Sequence, residues 1–193
     1  MALRVGARLP DALVHATVLD HAGASVELGE LRGLGPAVFV FLRHFGCTAC
    51  TEHVSMLMPA IAHLPALGVR IVFVGNGAAR YIDGFVERNG VLTDIARVVT
   101  DPSLKAFDAA GMVRSRWSTF GPRGLLNLAR SLARGFKQTT IEGEPLQQGG
   151  VIVVAADGTI AYVQVEQAAG DHAPNDEVVA AAMRVAALGM RGA

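Results

Sequence analysis

The stretch AVFVFL at residues 37–42 is an unbroken apolar run, the pattern of a strand buried on both faces, and it leads into a stretch with helical spacing. Val54, Leu57, Met58, Ile61 and Leu64 recur at intervals of three and four, which predicts a helix kinked at Pro59. The alternation then repeats. VRIVFVG at 69–75 reads as a second buried strand, AARYIDGFVERNG at 78–90 as a helix ended by Gly90, and ARVVTD at 96–101 as a third strand. PSLKAFDAAG follows as a short helix. From Gly121 to Gln138 a longer helix is expected, with Leu125, Leu128, Ala129, Leu132 and Phe136 on one face and Arg130 and Arg134 away from it. GVIVVAADGTIAYVQVE reads as a hairpin turning at Asp157-Gly158, and NDEVVAAAMRVAAL as a closing helix capped by Asn175 or Asp176. Ahead of these, GARLPDALVHATVLDHAGASVELGEL predicts an N-terminal hairpin with DHAG as its turn. This order points to an α/β, thioredoxin-like fold: a central mixed β-sheet flanked by helices, with an N-terminal β-hairpin extension. At 193 residues and 51% hydrophobic content, the chain is expected to form a single domain over 1–193.

The only two cysteines, Cys47 and Cys50, fall where the first buried strand gives way to the helix. Spaced as Cys-x-x-Cys, they close too small a loop to staple a domain of this size. Three readings stand: a redox pair, a metal site, or two buried small side chains. His44, Cys47, Cys50 and His53 are evenly spaced, but steps of three on a helix turn each side chain about 60° backward, so the four spiral instead of converging. No metal and no cofactor are expected. A thiol at a helix N-terminus faces unpaired N–H groups and the positive end of the macrodipole, both of which favour the thiolate. On that ground Cys47 is the candidate nucleophile and Cys50, one turn further in and more buried, the resolving thiol. His44 stands in the loop before them and is a candidate to hydrogen-bond or titrate against the thiolate. His53 reads as a surface or half-buried helix residue.

Lys plus Arg (17) balance Asp plus Glu (17), so no overall positive field draws the chain to nucleic acid or an anionic membrane. The apolar runs are strand-sized, well short of the roughly 18 residues of a membrane span. The N-terminal segment reads as carrying no export signal, and a cytoplasmic location is expected. FVGNGAAR suggests a dinucleotide fingerprint, but Arg80 replaces its third glycine and a plain strand-to-helix turn is the better reading. Arg114 and Arg116 are the candidate guanidinium groups for peroxide chemistry, which benefits from a positive charge that holds the thiolate and polarises the O–O bond.

The opening VGARLPDALVHATVLDHAGASVELGELRG, with the Phe-rich strand and cysteine after it, resembles peroxiredoxins of the alkyl hydroperoxide reductase and thiol-specific antioxidant superfamily. FKQTTIEGEPLQQGGVIVVAADGTIAYVQVEQAAGDH resembles the peroxiredoxin-like branch that includes the prostamide/prostaglandin F synthases. The resemblance spans about residues 5 to 185 and implies a thioredoxin fold whose Cys47 and Cys50 perform thiol-dependent reduction. The implied partners are a small-molecule peroxide or apolar acceptor and a thiol electron donor such as thioredoxin or glutathione. Val40 and His44 stand where typical peroxiredoxins have Pro and Thr, and Gly150, after Gly149, where thioredoxins have a cis-proline. Small residues there imply an opened substrate pocket at Thr48, Gly149 and Gly150, with room for a larger acceptor.

Overall fold

The computed structural model describes residues 2–136 and 140–191. Its strands are β1 Thr17–Leu19, β2 Ser25–Glu27, β3 Ala37–Phe41, β4 Arg70–Gly75, β5 Ala96–Thr100, β6 Gly150–Val154 and β7 Ile160–Val165. The helices are α1 Asp11–Val14, α2 Leu28–Arg32, α3 Thr48–Ile61, α4 Ile82–Asn89, α5 Lys105–Ala109, α6 Arg116–Phe120, α7 Pro122–Ala133 and α8 Asn175–Arg191. All seven strands join one sheet in the order β2-β1-β5-β4-β3-β6-β7. The β3–β4 and β4–β5 pairs run parallel, and the remaining pairs antiparallel, as expected for a mixed sheet. The N-terminal hairpin extends this sheet through Leu19, which pairs with Thr100.

Every residue of β3 is buried because helices cover both faces of the sheet at this strand. Val38 and Val40 turn toward a layer made with Leu57, Ile61, Phe85, Val178 and Val185, from α3, α4 and α8. Phe39 and Phe41 turn the other way, onto Leu13, Leu28 and Phe107 from α1, α2 and α5. The β3 side chains therefore alternate as the period of two requires. Gly90 ends α4 in the left-handed conformation at φ 59°, which a glycine adopts without strain. Pro59 lies in the last turn of α3, and the helix ends at Ile61. α8 begins at Asn175, so Asn175 and Asp176 lie inside its first turn instead of capping it.

The helix expected from Gly121 to Gln138 differs in two respects. It starts as expected, with Gly121 as the N-cap of α7 and the separate helix α6 just before it, but α7 ends at Ala133; Gln138 lies outside the described residues. Its inward face is also not the apolar one. Gly124 and Ser131 are buried, whereas Leu125 and Leu132 are 52% and 48% exposed. The cause is hydrogen bonding. The Ser131 hydroxyl donates to the Glu52 carboxylate of α3, and the Asn127 amide donates to the Ala169 carbonyl at 2.9 Å. A buried carboxylate needs partners more than Leu125 needs cover, so the polar stripe decides the rotation of the helix.

Candidate active site

β3 delivers the chain to the centre of the sheet's edge, and residues 42–47 carry it over to α3. Cys47 occupies the N-cap of α3, with φ −73° and ψ 121°. Its N–H donates to the His44 carbonyl at 3.2 Å, and its Sγ accepts from the Cys50 N–H at 3.4 Å. Both cysteines are buried free thiols, Cys47 at 7% exposure and Cys50 at 2%. Their thiols are driven apart. The hydrogen bond from the Cys50 side chain, against the opposing effect of burial, holds Cys47 below the ordinary thiol range, and Arg43 adds to this. Burial, and then the bond to Cys47, push Cys50 well above it.

Arg43 continues directly from the apolar strand yet is only 2% exposed. Its guanidinium donates to Ser118 Oγ at 3.1 Å, to Thr119 Oγ1 and to the Pro145 carbonyl at 3.3 Å, and lies 3.9 Å from Glu166 Oε2. The Asn76 amide donates to the Arg43 carbonyl, while Asn76 Oδ1 accepts from the Glu144 N–H at 2.8 Å. Gly75-Asn76-Gly77 is thus a packing hub. A Cβ at Gly75 would meet the Phe45 ring at 2.3 Å and one at Gly77 the Glu142 carbonyl at 2.3 Å, so no phosphate cradle is open there.

Glu166 follows β7, and its N–H donates to the Gly149 carbonyl at 2.9 Å. Its Oε1 lies 2.8 Å from His172 Nδ1, and the His172 ring stacks on His53 with centroids 4.4 Å apart and planes at 12°. Burial presses His172 down, but the Glu166 carboxylate more than reverses this and raises it above the usual imidazole value. His53, deprived of water and beside His172, is lowered to about 3. His53, Glu166 and His172 bring ligand atoms within 4.8 Å of one another. The imidazole planes run nearly parallel, however, and one ion cannot lie in both, so this arrangement is not a metal centre as it stands. Beside it, α3, α7 and residues 170–176 wall a cleft of about 570 Å³, with His53 and His172 in its lining and Arg130 and Arg134 on the α7 side.

The residues singled out from sequence divide. Cys47 and Cys50 come together as expected. His44 is buried with Nδ1 unpartnered, and burial followed by the neighbouring Arg43 lowers it to about 4; its bond to Cys47 runs through its backbone carbonyl. Arg114 and Arg116 are exposed, and Arg43 is the guanidinium whose charge bears on Cys47. Thr48 is 1% exposed and does not line the cleft. The opening expected at Gly149 and Gly150 is filled by the protein itself. A Cβ at Gly149 would lie 2.6 Å from the Phe41 carbonyl oxygen, and one at Gly150 2.3 Å from that of Gln164. His53, expected near the surface, is 4% exposed, with the His172 ring stacked over it. Sequence reasoning missed Arg43, Glu166 and His172. A charge directly continuing a buried strand was the available signal for Arg43; Glu166 and His172 sit in the VEQAAGDH stretch already notable for its resemblance.

Residues 56–168 match the family model for AhpC/TSA antioxidant enzymes. The chain belongs to this family. It is therefore a peroxiredoxin-like thiol oxidoreductase, and the matched span begins beyond both cysteines. The chain is 28% identical over 186 residues to the thioredoxin-like protein AAED1, chloroplastic, of Arabidopsis thaliana, covering 92% of this chain and 74% of the relative. It is 31% identical over 180 residues to the prostamide/prostaglandin F synthase of Sus scrofa, covering 88% and 86%. Among solved structures, peroxidoxin BcpB of Mycobacterium tuberculosis superposes with a TM-score of 0.66 at 15% identity, covering 95% of this chain and 98% of that one. The shared fold is the thioredoxin-like one. Among the described residues, no helix is long and apolar enough to cross a membrane.

Proposed function

We propose that this peroxiredoxin-like protein reduces a hydroperoxide, or a comparable small two-electron acceptor, with Cys47 as the attacking thiolate and Cys50 as the resolving thiol. The observation that carries this reading is Cys47 Sγ at the N-cap of α3, accepting from the Cys50 N–H while Arg43 lies buried nearby. The Cys47 thiolate attacks one peroxide oxygen. The O–O bond breaks, an S–O bond forms, and the departing oxygen takes a proton to leave as an alcohol or water. Cys50 then attacks the sulfenic sulfur, losing its own proton; the disulfide forms and the hydroxyl leaves as water. Two equivalents of an external thiol, of the thioredoxin or glutathione kind, restore the dithiol. A cytoplasmic or other reducing setting suits such a cycle.

The filled space at Gly149 and Gly150 favours a small acceptor over a bulky apolar one, although one relative is named for prostaglandin F synthesis. Donor-coupled turnover should be measured with hydrogen peroxide, an organic hydroperoxide, a quinone and a protein disulfide side by side. Turnover of the hydroperoxides, abolished in Cys47→Ser, is expected. Turnover of the protein disulfide alone would replace this reading with a disulfide reductase.

A further inference from the structure

The peroxide cycle leaves one buried group unused. Glu166 holds His172 by Nδ1 at 2.8 Å, and the two side chains are 5% and 11% exposed. Glu166 already has Arg43 at 3.9 Å as a counter-charge, so the imidazole is not required to neutralise it. His172 Nε2, Glu166 Oε2 and His53 Nε2 are all buried without hydrogen-bond partners. The ring stacks on His53, three residues after Cys50 on α3, and its carboxylate partner lies 3.9 Å from Arg43, four residues before Cys47. It thus stands within a helical turn of the thiol pair, whose Cys47 charge favours its protonation. A titratable ring is thus fixed by a carboxylate beside a thiol pair whose chemistry consumes and releases protons.

We propose that His172 carries the proton that accompanies the thiol chemistry: imidazolium while Cys47 is a thiolate, neutral once Cys47 and Cys50 are joined, with Glu166 fixing the ring in both states. This rests on the redox roles given above to Cys47 and Cys50.

The balance closes. Cys47 S⁻, His172 imidazolium, Cys50 S–H and a hydroperoxide give the disulfide, neutral His172, one alcohol and one water. The imidazolium proton goes to the departing peroxide oxygen and the Cys50 proton to the hydroxide lost from the sulfenic acid. The sulfurs lose two electrons together and the peroxide gains them. Two donor thiols then return two electrons and two protons, one proton to Cys50 and one to His172.

The sign follows from the groups around the ring. Glu166 after β7 and Cys47 at the head of α3 favour the imidazolium, and burial opposes it. Glu52 of α3 is a further negative charge, itself bonded to Ser131 of α7 and to Arg134 just past its end, and Arg130 of α7 and Asp176 of α8 face the same cleft. Arg43 lies beyond Glu166, Asp171 precedes the ring and pairs with Arg123 at 3.8 Å, and His53 is its stacked neighbour. Of these, only Cys47 changes its charge when the disulfide forms. Loss of that negative charge must therefore lower the affinity of His172 for its proton.

The test is the titration of His172 by NMR in protein with labelled histidine side chains, in the reduced, the disulfide and the Cys47→Ser forms; His172→Asn assigns the resonance. The His172 midpoint should fall by about one pH unit or more in both the disulfide and the Cys47→Ser forms, the scale of losing one nearby opposite charge. Equal midpoints in reduced wild type and Cys47→Ser would overturn the proposal, whatever the protein does with peroxide. If no disulfide can be formed at all, the redox assignment fails, and the comparison of reduced wild type with Cys47→Ser still decides on His172. In activity, His172→Asn should slow the first step about 10²-fold near neutral pH. It should also remove one ionisation from the pH–rate profile, which a purely structural role would leave in place.

Discussion

Cys47 differs from Cys50 through position. The first sits where α3 still has unbonded N–H groups, and the second is enclosed one turn later. Alkylation rates followed against pH should show the thiol left in Cys50→Ser titrating below the one left in Cys47→Ser; the reverse order would exchange their roles. Arg43→Met should slow the first oxidation step by about 10²-fold, the scale of one lost electrostatic stabiliser. It should also destabilise the fold by about 3–5 kcal/mol, because Glu166 loses a buried counter-charge. Arg114→Met, at an exposed position, should change neither rate nor unfolding midpoint. Stopped-flow oxidation and denaturant unfolding separate the two arginines. Equal behaviour of Arg43→Met and Arg114→Met would mean that the buried guanidinium has no part in the chemistry.

Strands and their order were legible in the sequence because β3, β4 and β6 are buried on both faces and so read as continuous apolar runs. The N-terminus of α3 was legible for the same reason, and with it the placement of Cys47. What could not be read were contacts between distant segments. Arg43 meets Ser118 and Thr119 across 75 and 76 positions of chain and Glu166 from further still, and no local pattern records such a meeting. The rotation of α7 was misread because periodicity registers apolar residues and is silent on a buried Glu52 that needs Ser131. At Gly149 and Gly150 the sequence shows only that side chains are missing, and the structure shows backbone oxygens in their place. Gly150→Ala should therefore cost about 1–3 kcal/mol by overpacking, read as a lowered urea midpoint at unchanged m-value. An unchanged midpoint would restore the open pocket.

Over the whole molecule, burial of neutral imidazoles ties stability to pH. His44 and His53 bind protons in the unfolded chain at the usual value of 6.5 but in the fold only near 4 and 3. Below 6.5 the unfolded state takes up more protons, so stability must fall as pH drops, by up to about 1.4 kcal/mol per pH unit for each ring, until the folded values are reached. His172 is raised instead, so its contribution is complete below the unfolded value and is lost as pH rises through the folded one. Urea unfolding between about pH 7 and 4 should show this decline, reduced in His44→Gln; a flat profile would contradict the buried neutral state. The sheet, the α3 N-terminus and the charges behind it converge on one sulfur, and its role is read most directly by peptide mapping after one equivalent of hydroperoxide. Wild type should yield the Cys47–Cys50 disulfide, and Cys50→Ser a sulfenic acid on Cys47. Oxidation of Cys50 in Cys47→Ser at the wild-type rate, with Cys47 unmodified in Cys50→Ser, would contradict it.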